Sequence, residues 1–292
     1  MDGVLVVDKP EGPTSHDVVA RARRALRIRS IGHTGTLDPM ATGVLVLVVG
    51  RATRLAQFLA DHRKAYDAVA RLGLVTDTWD RTGTPLPAAE APLPSPPDIE
   101  RALAAFLGTG PQRPPPYSAK KVEGVRAHVL ARRGRPVDVE PAIVGLYEAR
   151  LAGIDLPILR FTLLTSAGYY VRSLVHELGR QLGCGACLEA LRRTASGGFG
   201  LAQAVPLDEL ERDPAAAAAR LVPMHAVLPE LPAVVLNEED ARRAGHGNEI
   251  DVGGALGGQP EAVRLMAADG SLLAIARPSG RPGVLHPAVV LK

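Results

Sequence analysis

The sequence predicts an α+β protein, one large domain followed by a small C-terminal β module. Three observations carry that reading. Short apolar or alternating runs recur, such as Val44 to Val49 and Tyr66 to Thr76, and runs of this length and pattern are strands. Amphipathic stripes at helical spacing lie between them, notably Val18, Val19, Ala22, Ala25 and Leu26, and Val171, Leu174, Val175, Leu178 and Leu182. From about Leu231 the pattern changes to short alternating segments divided by Gly-rich turns: Ala262 to Met266, Leu272 to Ala276 and Ala288 to Leu291. With 292 residues and 46% hydrophobic content, the chain has material for a large domain at 1–230 and a small one at 231–292.

Taken in order, Gly3 to Asp8 is a strand that ends in the turn cluster Lys9-Pro10-Glu11-Gly12-Pro13. Thr14 or Ser15 caps the first helix, whose other face carries Arg21, Arg23, Arg24, Arg27 and Arg29. Ala56 to Leu59 reads as helical. In Tyr66 to Thr76, Tyr66, Ala68, Ala70, Leu72 and Leu74 share one face. Residues 84–97 are Pro- and Ala-rich and read as an exposed linker, and a helix runs from about Pro97 to Leu107 with Gly108 as its stop. Gly110 to Gly134 reads as a Pro-stiffened extended segment followed by a basic helix. Val137 to Ala149 and Leu156 to Thr165 are strands by alternation. Arg172 falls in the first turn of the helix that follows, away from its apolar stripe. A cation there opposes the helix dipole and calls for a local carboxylate. Leu188 to Arg193 reads as a short helix, Asp213-Pro214 opens an Ala-rich one, and Asn237 caps a small one reaching Gly245.

Composition removes several function classes. No apolar run has membrane-spanning length, and the first residues lack a signal peptide's apolar core, so a cytoplasmic protein without membrane contact is expected. Cys184 and Cys187 have no second pair, so neither a disulfide framework nor a zinc site is expected. A net charge of +3 says little about nucleic acid by itself. Aromatic residues make up only 3% of the chain, so the positions of its five tyrosines are informative.

The stretch from Gly32 to Val49 joins turn chemistry to a core strand. Gly32, Gly35, Gly43 and Asp38-Pro39 shape a polar loop, and Val44 to Val49 anchors it. In isolation Asp38 is an ordinary Asx-turn carboxylate. A phosphate cradle does not fit, because no G-K-[ST] follows and the loop precedes a strand. The run G-H-T-G-T-L-D-P-M-A-T-G-V-L, however, closely resembles the signature loop of the bacterial tRNA pseudouridine-55 synthases, the TruB family. Further blocks resemble that family in order from Asp8 to about Phe199: D-K-P-E-G-P-T-S, K-A-Y, T-D-T-W-D-R-T-G, Q-R-P-P-P-Y-S-A-K-K and G-Y-Y-V-R-S-L. The chain departs from the pattern at His128, where Tyr is common, and at Ala167-Gly168-Tyr169, where Gly-Thr is commoner.

The resemblance implies a pseudouridine-synthase fold, a mixed and largely antiparallel sheet with flanking helices, plus a PUA-like β domain. It implies that Asp38 is catalytic and pairs with Arg172, that Tyr66 and Tyr170 wall the uridine pocket, and that Leu191 packs on the target base. An inserted arm at about 110–140 would close over RNA. Arg21, Arg24, Lys120, Lys121, Arg126, Arg132, Arg133, Arg135, Arg192 and Arg193 would meet phosphates. His33 is expected to hold or replace the flipped nucleotide. The implied reaction turns uridine into pseudouridine in the T-arm stem-loop of tRNA. No atoms are gained or lost, so no cofactor is expected. Four of the five tyrosines (Tyr66, Tyr117, Tyr169 and Tyr170) fall inside the matching blocks. The other readings are a guide-RNA-dependent enzyme acting on ribosomal RNA and a non-catalytic RNA-binding or RNA-folding protein. A monomer is the default expectation.

Overall fold

The apolar run Gly3–Lys9 (β1) pairs antiparallel with Thr42–Val49 (β3) along its whole length, from Gly3 opposite Val49 to Lys9 opposite Gly43. Between them come α1 (Ser15–Leu26) and β2 (Ile31–His33), which also pairs with β3. Thr14 caps α1 in a capping box with Asp17. This computed structural model describes residues 1–87, 91–118, 120–122, 125–126, 139–253 and 260–291. The chain continues through α2 (Ala56–Ala60), β4 (Lys64–Leu72), β5 (Val75–Thr76), β6 (Pro85–Leu86), α3 (Pro96–Ala104), β7 (Gly108–Gln112), β8 (Lys121–Val122) and β9 (Val125–Arg126). Then follow β10 (Ala142–Asp155), β11 (Ile158–Thr165), α4 (Val171–Gln181), β12 (Ala186–Ser196), β13 (Phe199–Gly200), β14 (Val205–Pro206), α5 (Leu207–Arg212), α6 (Pro214–Ala219) and β15 (Val222–Pro223).

The large sheet runs β14-β1-β3-β12-β4-β11-β10-β7, with β2, β13 and β15 at its margins. Its pairings are antiparallel except β1–β14 and β3–β12, so it is mixed and largely antiparallel, as expected. Helices cover one face. Val18, Ile99, Leu174, Leu178 and Leu210 bury against Leu5, Leu47, Ala70 and Phe161. On the other face of β1 and β3, Val4, Val6, Val44, Val46 and Val48 share a second core with Ala52 and Leu55 of the turn after β3, with Leu59 of α2, and with Leu272, Ile275 and Leu291 of the C-terminal module. That module comprises β16 (Ala233–Val235), α7 (Glu238–Gly245), β17 (Ile250–Asp251), β18 (Val263–Met266), β19 (Leu272–Pro278) and β20 (Val284–Val290). Its sheet order is β16-β18-β19-β20-β17. Arg51 and Arg54 tie the modules together by donating to the carbonyls of Leu291 and Val290.

The structure corrects four local expectations. Leu188 to Arg193 is not a helix but the centre of β12, between β3 and β4. A β-bulge between Leu188 and Ala190 shifts the register, so Leu188 and Leu191 both turn into the core and imitate helical spacing. The alternating strand from Tyr66 stops at Leu72, because Gly73 turns with φ +76°. The second strand of the 137–165 pair starts at Ile158, after a turn. Finally, Lys121–Val122 pairs with Val125–Arg126 where the basic helix was expected to open. Valines flanking a glycine favour such pairing over a helix. The rest of that expected helix, with His128, Arg132, Arg133 and Arg135, lies outside the described residues, as do residues 137–138.

Gly43, where the Asp38 loop enters β3, is among the glycines fixed by close approach. Gly43 has φ +99°, and a Cβ built on it would lie 2.2 Å from the Arg193 carbonyl oxygen. Gly43→Ala is expected to cost at least about 2 kcal/mol through combined strain and overlap. Denaturant midpoints of the variant and wild type would check this, and an unchanged midpoint would contradict it.

Candidate active site

The loop between β2 and β3 is held by its backbone. The Ser15 hydroxyl accepts from Leu37 N–H (2.8 Å) and donates to the Leu37 carbonyl (3.1 Å). Lys9 Nζ donates to the carbonyls of Ala41 (2.7 Å) and Pro39 (3.2 Å), and Gly12 N–H also reaches Pro39. Arg193 donates to the carbonyls of Val44 (2.7 Å), Gly35 (3.0 Å) and Thr36 (3.4 Å). A turn bond from Ala41 N–H to the Asp38 carbonyl closes the loop. The backbone is thus pinned from three sides, and the Asp38 side chain is left pointing into a cavity.

That cavity measures about 260 Å³. Asp38, Tyr66, Tyr170, Arg172 and Leu191 all line it, together with Lys64, Ser118 and Arg193. The five residues brought together come from four separate stretches of sequence. Arg172 Nη2 donates to Asp38 Oδ1 at 2.9 Å, so the carboxylate called for by the helix dipole is Asp38. Arg172 is 4% exposed, and its other contacts are the carbonyls of Tyr117 (3.0 Å) and Thr78 (3.1 Å). A second carboxylate faces it: Asp80 Oδ2 lies 3.6 Å from Nη1. Asp80 is itself held by Thr78 Oγ1, Thr82 N–H and Thr82 Oγ1 at 2.6 to 3.0 Å. Trp79, next in the same loop, stacks on His176 of α4 with ring centroids 4.2 Å apart.

The wall chemistry suits a neutral, flat ligand with an anionic neighbour. Burial raises the phenol pKa values of Tyr169 and Tyr170, and at Tyr170 the nearby Arg172 charge partly counters it. Both phenols stay neutral donors and apolar surfaces. Lining cations (Lys64, Arg172 and Arg193) outnumber the lining carboxylate, Asp38.

The remaining expected residues divide by environment. His33 stands on β2 just outside the cavity lining, with its ring edge-on to His16 at 5.2 Å. Arg24 and Lys120 are exposed, whereas the Lys121 side chain lies outside the described residues. Arg21 is paired with Glu211, and Arg192 forms a two-pronged pair with Asp8 at 2.7 and 3.1 Å. Arg193, expected at a phosphate, is 2% exposed and spends its donors on the loop carbonyls instead. The sequence reading gave no part in the site to Lys9, Lys64, Asp80 or Gln112, and none to Ser15 beyond a possible helix cap. All but Lys64 lie in blocks noted only for their likeness, and Lys64 opens the block valued for Tyr66.

Two of these are buried amines. Burial lowers Lys9 and Lys64 from 10.5 to about 8, the Asp38 charge opposing the shift at Lys9 and the Arg193 charge adding to it at Lys64. Their folded-state pKa values are depressed, so the unfolded chain binds protons that the folded chain has released. Their contribution to stability therefore rises with pH from about 8 toward 10.5. Denaturant-derived stability across that window is expected to climb less steeply in Lys64→Met than in wild type, and equal slopes would contradict this.

Comparison with known proteins adds an independent line. Residues 23–171 match the TruB family pseudouridylate synthase N-terminal domain, and residues 172–229 match the tRNA pseudouridylate synthase B C-terminal domain. The chain is 43% identical to tRNA pseudouridine synthase B of Solibacter usitatus over 297 aligned residues, covering all of both chains. It is 45% identical to the protein of the same name from Opitutus terrae, over 79% of this chain and 96% of that one. Among solved structures, it resembles one described as "Crystal Structure of a Cbf5-Nop10-Gar1 Complex", with TM-score 0.75 and 26% identity over 99% of this chain and 85% of the other.

Proposed function

The chain belongs to the TruB family of pseudouridylate synthases, and from that premise we propose that Asp38 is its catalytic carboxylate, acting on a uridine flipped out of the tRNA T-arm at position 55. The enzyme isomerises uridine to pseudouridine in tRNA. The N1–C1′ bond breaks, the uracil turns, and C5 joins C1′. One proton leaves C5 and one is gained at N1, so the composition is unchanged.

The observation that carries the residue roles is the 2.9 Å bond between Arg172 and Asp38 inside a cavity walled by Tyr66, Tyr170 and Leu191. A base must leave its stack to react, and an aromatic and apolar slot receives it. Arg172 holds and aims the carboxylate, as the role of a nucleophile or base requires. His33, beside the slot, helps hold the flipped nucleotide. The exposed Arg24 and Lys120 suit the phosphate backbone. The module from about residue 231 is a PUA-like RNA-binding domain, and the protein works as a cytoplasmic monomer. No helix among the described residues is long and apolar enough to cross a membrane.

A guide-dependent reading has one observation in its favour, the likeness to the Cbf5-containing structure. The near-complete match to relatives named for tRNA weighs more.

The test uses unmodified tRNA transcript and purified protein, with pseudouridine mapped by carbodiimide-dependent reverse-transcription stops. Wild type is expected to give a stop at the T-arm uridine, and Asp38→Asn none. Arg172→Lys is expected to slow product formation by on the order of a hundredfold, because a point charge replaces a fork shared by two carboxylates. A stop with both wild type and Asp38→Asn would remove Asp38 from the centre. No stop with wild type despite tight tRNA binding would favour the guide-dependent or non-catalytic readings.

A further inference from the structure

The N-terminus of α4 supplies both Tyr170 and Arg172, yet it has no cap of its own. Tyr170 occupies the cap position in extended conformation (φ −105°, ψ 110°), and its side chain makes no capping bond. With Arg172 in the first turn, the helix dipole offers no help. An end built this way frays unless something outside the helix meets its backbone.

Gln112, the last residue of β7 on the edge of the large sheet, leaves the first-turn N–H groups alone but clamps the cap residue itself, whose carbonyl also takes the first helical bond from Leu174 N–H. Its carboxamide spans the Tyr170 backbone: Oε1 accepts from Tyr170 N–H at 2.8 Å, and Nε2 donates to the Tyr170 carbonyl at 3.0 Å. Only one orientation of the amide satisfies both partners, so the contact fixes direction as well as distance. Two further bonds join the same short stretch to the first turn. Ser173 Oγ donates to the Arg113 carbonyl at 2.7 Å, and Arg172 Nη2 to that of Tyr117 at 3.0 Å.

We propose that Gln112 is a positioning residue for the isomerisation, setting the Tyr170 backbone and, through it, the Tyr170 wall and the aim of Arg172 at Asp38. The proposal rests on the reading of Asp38 as the catalytic carboxylate. Gln112 does not line the cavity and acts only through Tyr170. Its loss leaves the pairing of Gly108–Gln112 with Ala142–Leu146 in place, since that pairing uses backbone groups. The fold therefore survives while the site loosens, and a displacement of about 1 Å at reacting groups costs on the order of a hundredfold in rate.

The test compares wild type, Asp38→Asn, Gln112→Ala and Gln112→Glu on unmodified tRNA transcript, measuring single-turnover rate and tRNA Kd separately. Gln112→Glu keeps the size and the acceptor for Tyr170 N–H but sets an oxygen against the Tyr170 carbonyl. Both Gln112 variants are expected to lose about 10- to 100-fold in rate, with Kd within about twofold. Combined with Arg172→Lys, Gln112→Glu is expected to add little further loss, because the two act as one unit. A folded variant within about twofold of the wild-type rate would overturn the proposal. So would rate and affinity falling by the same factor, or a fully multiplicative loss in the double variant. If Gln112→Ala does not fold, the near-isosteric Gln112→Glu decides. Asp38→Asn keeps the two readings apart: its activity would sink the Asp38 reading, whereas an active wild type with fully active Gln112 variants would sink this one alone.

Discussion

The site depends on one buried guanidinium. Arg172 is 4% exposed, and a cation so far from water is tolerated only when its surroundings neutralise and bond it. Three segments converge on it to do so: the Asp38 loop, the Thr78–Asp80 loop and the Tyr117 carbonyl. The dependence runs both ways. Asp38 is part of what makes the buried charge tolerable, so the fold itself drives this carboxylate into the cavity.

Around that pair, backbone and side chains divide the work. Lys9, Ser15 and Arg193 hold main-chain groups of the Asp38 loop and leave its side chain to face the cavity and Arg172. A long cationic side chain beside an RNA site is thus not automatically an RNA contact. Arg193 is a loop strut, Arg192 is matched to Asp8, and Arg21 is matched to Glu211. The surface offered to a polyanion is narrower than a count of basic residues implies.

The fold class, most strands and the capped ends of α1, α6 and α7 were legible in the sequence, because alternation and cap residues are local signals. The Arg172–Asp38 pairing was legible twice over, from the helix dipole and from likeness. The Leu188 to Arg193 stretch was misread because a bulge gives a strand the apolar spacing of a helix, and only pairing with β3 and β4 shows the difference. Asp80 and Gln112 were not legible at all. Each acts through a partner more than fifty residues away, and nothing in the neighbouring residues announces such a partner.

The apolar layer between the two sheets has a consequence for how the chain comes apart. Val4, Val6, Val44, Val46 and Val48 belong to the strands that carry the Asp38 loop, yet their core is completed in part by Leu272, Ile275 and Leu291 from the far end of the sequence. Peeling away the small sheet would expose part of this core, while Ala52, Leu55 and Leu59 stayed in it. The small sheet also keeps a core of its own, with Leu236, Ile250, Val263, Leu265 and Leu285, so the apolar seam couples two cores and holds back local opening of the C-terminal sheet without merging the two.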